Sequence, residues 1–405
     1  AARDARQKAR LGRARGARAG DRAFGRLMSS KSDDLAIDPL AGFLPMATRD
    51  RLAESLTPAE IDTLAHLAKA GTGANSLRAL ASDLAYLEAW SRAATGAPLS
   101  WPATETAVLL FIAHHLWDER EREKTPDHGM PETVAEALRA EGRLRASGQH
   151  APSTVRRRLA LWATLHRWRG VEGPFGNSSI RNALRLSIRA ADRLPARKSA
   201  VAITRDILDE LLATCGRGRA IDLRDRALLL LAFGSGGRRR SEIVRLRVDD
   251  LEERALVPAD PEAPEGPTLP VLAVRLRRTK TSSADAGESA LIVGRPVDAL
   301  RAWLEFSKID SGPVFRRVDK WGQLGTAALD AQSVNMIVKS RCAAAGLDPA
   351  QYSAHGLRSG YLTQAAREGV SLPEAMQQSR HRSVQQASRY YNEAQIARGR
   401  AARLA

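Results

Sequence analysis

The chain has 405 residues, an ordinary hydrophobic fraction of 43% and a formal net charge of +17. That length admits two domains and a sizeable core, and no apolar run approaches the ~20 residues a bilayer-spanning helix needs, which argues against a helical membrane protein. The charge points to a polyanionic partner, nucleic acid before a membrane surface, because no strongly amphipathic basic helix with an aromatic face is present.

Residues 1–45 read as a flexible basic arm, with Arg3, Arg6, Arg10, Arg13, Arg15, Arg18, Arg22 and Arg26 spaced by Ala and Gly. A solvated tail, a transit peptide and a phosphate-contacting arm that folds on DNA share this composition. Residues 46–195 read as an all-α domain. Thr57-Pro58-Ala59-Glu60 is a capping box with Pro at the first helical position. Helices are predicted over Ser76–Trp90, Ala107–Trp117, the middle of 125–150, Ser153–Trp168 and Arg181–Ala191. His114, His115 and Glu119 include one i,i+4 pair without a third partner, so no metal site is expected there. Arg156, Arg157, Arg158 and Arg181 offer positive charge on two of these helices and are the candidate DNA contacts.

The stretch 192–204, DRLPARKSAVAIT, reads as a linker, and residues 196–392 as a second domain that mixes helix and strand. Helices are predicted over Ile207–Cys215, Asp222–Phe233, Arg239–Leu246, Val297–Phe306 and Ser333–Ala345. The run Ala227–Phe233 is too apolar for a surface element. Two strands, Leu272–Leu276 and Ala290–Val293, flank a polar turn from Thr279 to Gly287. Asp310–Leu329 reads as a loop. Ser353–Tyr391 reads as three short helices, punctuated by Gly369 and by Ser371/Glu374 and Ser383/Gln386 capping pairs. Residues 393–405 form an Arg/Ala-rich tail or helix. Cys215 and Cys342, far apart in sequence, read as buried small residues of a reducing compartment.

The polar groups of the second domain suit one reaction. Arg239 and Glu242 lie three apart after a Gly-rich break, Lys280 sits in the turn between two strands, and His355 and Arg358 share a helix face. His381 and Tyr390 follow. Two arginines, a lysine, two histidines and a tyrosine fit nucleophilic displacement at a phosphodiester. A Tyr hydroxyl, with its reference pKa near 10, needs a base or a positive field to attack. Arginine forks bind two phosphate oxygens in a plane, and a Lys is a reasonable acid for the leaving oxygen. No acidic cluster fit for Mg²⁺ is visible, so neither a metal nor any other cofactor is expected.

These residues resemble the tyrosine recombinases, the phage-integrase family. RDRALLLLAFGSGGRRRSEIVRLRVDDL resembles the family's first catalytic box, RRTKT its hairpin lysine, AHGLRSG its His-x-x-Arg box and HRSVQQASRYY its final His-to-Tyr box. The resemblance covers Asp222 to Tyr391 and extends more loosely over the all-α half. It assigns Arg239 and Arg358 as catalytic arginines, Glu242 as supporting carboxylate, Lys280 as general acid, His355 as second-box histidine, His381 as the His/Trp position at the scissile phosphate, and Tyr390 as nucleophile. Tyr391 is a rival nucleophile, and Arg238 and Arg240 are rivals of Arg239. Ser379-Arg380 stands where the family usually has Leu-Gly. Arg277 and Arg278 beside the hairpin lysine are further DNA-contact candidates.

The expected fold is mainly α with a small antiparallel sheet, a two-domain clamp on duplex DNA: an all-α core-binding domain plus a catalytic domain. The expected function is site-specific strand exchange through a covalent 3′-phosphotyrosine. The resemblance further implies a homotetramer on synapsed sites, accessory DNA-bending or directionality factors, a tail that contacts a neighbouring subunit and a cytoplasmic, nucleoid-associated location. A topoisomerase-like or hairpin-forming strand transferase and a catalytically silent DNA-binding regulator are the alternatives, with a basic RNA-binding protein a third that explains the charge but not the four boxes.

Overall fold

The computed structural model describes residues 74–144, 149–191, 199–275, 289–381 and 383–396, together with Thr63, His66 and Gly71. The Thr57 capping box, the basic arm and the last nine residues of the tail fall outside the described residues. The chain divides into two compact units, 1–196 and 197–405.

The described part of the first unit is helical: α1 (Ala74–Thr95), α2 (Glu105–His115), α3 (Glu119–Lys124), α4 (Glu132–Ala140), α5 (Pro152–Trp168) and α6 (Ser178–Ala190). Its core is aromatic. Trp90 meets Phe111 edge-on with centroids 5.0 Å apart, and Trp162 packs against both. Each such ring contributes by the large apolar area it removes from water. His115 belongs to this core. Its Nε2 pairs with the Tyr86 hydroxyl at 2.7 Å and its Nδ1 with the Phe111 carbonyl at 2.6 Å. His114 receives the Trp90 indole N–H.

The described part of the second unit is mainly helical with two small antiparallel sheets. It runs α7 (Arg205–Ala213), α8 (Ala220–Gly234), α9 (Arg240–Ile243), β1 (Leu251–Pro258), β2 (Thr268–Arg275), β3 (Ser289–Val293), α10 (Arg295–Ser307), β4 (Arg316–Val318), β5 (Leu324–Ala328), α11 (Ala331–Ala344), α12 (Ala354–Arg367), α13 (Leu372–Ser379) and α14 (Val384–Ile396). One sheet has the order β1-β2-β3, with Leu251 opposite Val274 and Val271 opposite Val293; the other is the β4–β5 hairpin. As its all-apolar run demands, α8 is central: Ala227, Leu228, Leu229 and Leu231 are fully buried. A fully buried Leu is worth roughly 1.5–3 kcal/mol.

Three expectations are corrected. The helix predicted over Arg239–Leu246 is a single turn, because the backbone beyond it bonds across the chain instead, Val314 N–H to Leu246 O and Val248 N–H to Gly312 O. β1 itself was not expected. Its sequence LEERALVP is exposed along most of its length, an edge strand whose polar residues hide the period of two. The loop predicted over Asp310–Leu329 holds β4 and β5. Their turn is set by the Asp319 carboxylate, which accepts from the backbone N–H of Trp321 and Gln323.

A small separate core ties the last three helices together. Leu362 and Ala365 of α12, Ala375 of α13, and Ala387 and Tyr391 of α14 are buried against one another. The caps read from sequence are in place. Ser371 accepts from Glu374 N–H, Ser383 from Gln386 N–H, and Gly369, at φ +79°, follows the end of α12.

Candidate active site

The site is assembled on the second unit by a close approach of backbones. Gly236 and Gly237 follow α8 with φ of +90° and +70°. A Cβ on Gly236 would lie 2.5 Å from Gln378 O and Ser379 Cα, and one on Gly237 would lie 2.3 Å from Arg358 Cα. Only Gly supplies both the left-handed φ and the space. The approach is fastened by hydrogen bonds. Arg358 donates to Gly237 O at 3.0 Å, Arg238 to Gln378 O at 2.5 Å, and the Gln378 amide to Gly234 O and Leu291 O.

The three consecutive arginines part at this point. Arg238 is buried and points to the end of α13. Arg240 reaches Gln332 on α11 at 2.6 Å. Arg239 is exposed and donates to Glu242 Oε1 at 2.8 Å, while Glu242 Oε2 accepts the Arg239 backbone N–H at 3.3 Å. The three-residue spacing is therefore a one-sided cap: the carboxylate in the first turn folds back and accepts from both the backbone N–H and the guanidinium of the residue before it. Ser353 caps α12 through His355 N–H, so His355 and Arg358 lie in its first turns on one side.

On α14, residues 387 and 391 face inward, both buried. Residue 390 is turned about 100° from residue 391. Tyr390 is half-buried, and its hydroxyl lies 3.2 Å from His355 Nε2. Tyr391 is packed in the small core, where burial raises its pKa. Arg380 caps α13, held left-handed at φ 53°, ψ 47° where glycine is the easy choice. The chain turns there, and His381 N–H returns to Met376 O. The His381 ring lies against the buried Ser379 hydroxyl, with Nδ1 2.7 Å from Oγ.

The electrostatics are those of an anion receptor. Burial lowers the guanidinium pKa of Arg238 and of Arg358 to about 10, and neighbouring arginines push the same way. Both stay cationic at neutral pH. Burial also lowers Arg380. Burial, then Arg358, Arg239, His355 and Arg238, hold His381 down to about 3, so its ring is neutral. Glu242 opposes this field at Arg238, Arg358 and Arg380.

The structure thus brings Arg239, Glu242, His355, Arg358, His381 and Tyr390 to one place. Lys280, Arg277 and Arg278 lie outside the described residues, in the connection between β2 and β3. Arg238, Ser379 and Arg380 join the site without having been assigned to it from sequence; the RRR run and the residues before His381 were their signal. Of the first-unit candidates, Arg156 and Arg181 are exposed, and Arg157 is half-exposed but ion-paired with Asp83. Arg158 is a correction. It is buried, with its guanidinium 3.3 Å from the Tyr86 ring centre and its Nε 3.4 Å from Asp83, so it serves the core rather than an outer face. Among the described residues no group of three or more His, Cys, Asp or Glu is placed to hold a metal ion, and no helix is long and apolar enough to cross a membrane.

Residues 202–396 match the family model described as the Phage integrase family. The chain is 32% identical over 180 residues to the integrase/recombinase xerD homolog of Selenomonas ruminantium, covering 43% of this chain and 48% of that protein. It is 27% identical over 246 residues to recombinase cre of Escherichia phage P1, covering 56% and 66%. It thus spans about half the length of the first relative and just under two thirds of the second. Among solved structures, a XerH site-specific recombinase bound to difH substrate overlaps 86% of each chain at TM-score 0.42 and 12% identity. A lambda integrase dimer bound to a COC′ core site overlaps 82% of this chain and 75% of that one, at TM-score 0.42 and 15% identity. The similarity is thus to the phage integrase family, the tyrosine recombinases, and the family match lies within the second unit.

Proposed function

We propose that this protein is a site-specific DNA recombinase that cuts and rejoins duplex DNA through a covalent tyrosine ester. The observation that carries the reading is the Tyr390 hydroxyl 3.2 Å from His355 Nε2, in a site rich in arginine. Tyr390 Oη attacks the scissile phosphorus and its proton passes to His355. The P–O5′ bond breaks, leaving a 3′-phosphotyrosine and a 5′-oxygen that takes a proton, for which Lys280 is the proposed donor. Arg239 and Arg358 hold the non-bridging oxygens, Glu242 steadies Arg239, and neutral His381 adds a hydrogen bond. The phosphodiester energy is kept in the ester, so rejoining by a second 5′-hydroxyl needs no nucleotide.

Duplex DNA is the proposed partner, gripped by both units as a clamp with Arg156, Arg157, Arg181, Arg277 and Arg278 on phosphates. Exchange is proposed to occur in a homotetramer, with residues 393–405 docking on a neighbouring subunit. Deleting those residues is expected to spare DNA binding and abolish synapsis; undiminished recombination by the truncated chain would end that part of the reading.

The test is covalent trapping. The full chain is mixed with a pool of randomised nicked duplexes in the presence of chelator, and SDS-resistant adducts are collected. The reading expects an adduct that is lost in Tyr390→Phe and kept in Tyr391→Phe. An adduct that survives Tyr390→Phe moves the chemistry elsewhere. Tight binding with no adduct from any duplex favours a silent DNA-binding regulator.

A further inference from the structure

The proposed reaction leaves unexplained why a hydroxyl is buried beside His381. We propose that Ser379 is a positioning residue, fixing the His381 ring and holding it as the Nε2–H tautomer so that the ring donates, rather than accepts, a hydrogen bond at the phosphate. This inference rests on the reading above for the phosphate, but not for the tautomer.

The geometry leaves the pair little freedom. Ser379 is fully buried at the last position of α13, with its Oγ 2.7 Å from His381 Nδ1. Its backbone is pressed against Gly236, where even a methyl group would lie 2.5 Å from Ser379 Cα. The left-handed Arg380 and the His381 N–H bond to Met376 O turn the ring back onto the hydroxyl. Among the described residues, Nδ1 is the one hydrogen-bond partner of the Ser379 hydroxyl, and His381 Nε2 has none.

A neutral imidazole carries one N–H, and a hydroxyl both donates and accepts. If Nδ1 bore the proton it would donate to Oγ, and the buried hydroxyl hydrogen would be left without an acceptor. An unmade buried hydrogen bond is costly. If Oγ–H donates to Nδ1, both groups are satisfied and the proton sits on Nε2. The ring's neutrality, imposed by burial and by Arg358 and Arg239, makes the choice of tautomer matter: an imidazolium would donate from either nitrogen. A ring turned to the Nδ1–H form would aim a lone pair at an anion.

The test uses full-length protein labelled with ¹⁵N-histidine and a long-range proton–nitrogen correlation. The chain has 8 histidines, and the His381 signals are assigned by their loss in His381→Gln. The wild type is expected to give the Nε2–H pattern with a hydrogen-bonded Nδ1. In Ser379→Ala, checked for an unchanged unfolding temperature, the two nitrogens should move toward a mixture of tautomers. An Nδ1–H pattern in the wild type, or an unchanged spectrum in Ser379→Ala, overturns the assignment. The second arm reads covalent adduct. Ser379→Ala should lower its rate about tenfold in the His381 background and less than twofold in a His381→Trp background, since indole has a fixed N–H and no tautomer. Equal losses in both backgrounds would make Ser379 merely structural. Absence of any wild-type adduct would sink the proposed function, while the spectrum would still decide the tautomer.

Discussion

Replacing Gly237 with Ala tests whether backbone proximity builds the site. At φ +70° an L-residue costs roughly 1–2 kcal/mol. The new Cβ would lie 2.3 Å from Arg358 Cα, over an ångström inside ordinary contact, and 3.0 Å from Arg358 N. Those are backbone atoms of α12 and cannot rotate away, so the helix itself must shift; overpacking of this kind costs about 1–3 kcal/mol more. The expected loss is therefore about 2–5 kcal/mol. Gly218→Ala is the control. Gly218 has φ +63° and open space around its would-be Cβ, so only the backbone cost remains. Urea unfolding of both variants isolates the packing term as their difference. A shift of about 1 Å at Arg358 should lower adduct formation roughly a hundredfold in Gly237→Ala and leave it unchanged in Gly218→Ala. Equal stability losses in the two variants, or normal cleavage by a folded Gly237→Ala protein, would refute the close-approach argument.

Three further outcomes are expected. The His381 pKa is about 3 in the folded protein against a reference near 6.5, so between those values the unfolded chain holds a proton that the native state does not. Stability should fall as pH drops through that window, by about 2 kcal/mol for this partly exposed ring once solvent screening is allowed for; His381→Gln should flatten that part of the acid limb in a pH series of denaturant melts. Inorganic sulfate at about ten times its dissociation constant should stabilise the wild type by about 1.4 kcal/mol, read as a raised melting temperature, and Arg358→Met should lose most of that gain. Arg158→Met should cost about 2–3 kcal/mol in denaturant unfolding through lost contact with Tyr86 and an undercompensated Asp83, with no change in the salt slope of DNA binding.

What could be read from sequence was whatever local spacing controls. The His355/Arg358 pair, the Arg239/Glu242 cap and the Ser371 and Ser383 caps are all i,i+3 devices, and all lie where spacing puts them. The choice of Tyr390 over Tyr391 rested on resemblance until the partners of α14 were known; burial of Tyr391 needs Leu362 and Ala375 from two other helices. Arg158 failed for the same reason. In sequence it is one of three equal arginines, and Tyr86 and Asp83, more than seventy positions away, remove it from the surface. β1 was missed because an exposed edge strand carries no apolar alternation to count.

The charge balance of the site explains how it could favour reaction over mere binding. Arg238, Arg239, Arg358 and Arg380 act on one another or on His381, with Glu242 as the opposing carboxylate at three of them. Burial first, and neighbouring arginines second, disfavour the charged forms of Arg238 and Arg358. On the proposed pathway a phosphodiester would bring one negative charge that favours both charged guanidiniums. The pentacoordinate transition state of that pathway would carry more negative charge on the same oxygens and favour them more. Groups already held by Gly237 O, Gln378 O and Glu242 need not reorganise to meet it. On that pathway the field would be better matched to the transition state than to the bound DNA, the condition for raising the chemical rate. Arg238 contributes to that field from beneath, without reaching the surface itself.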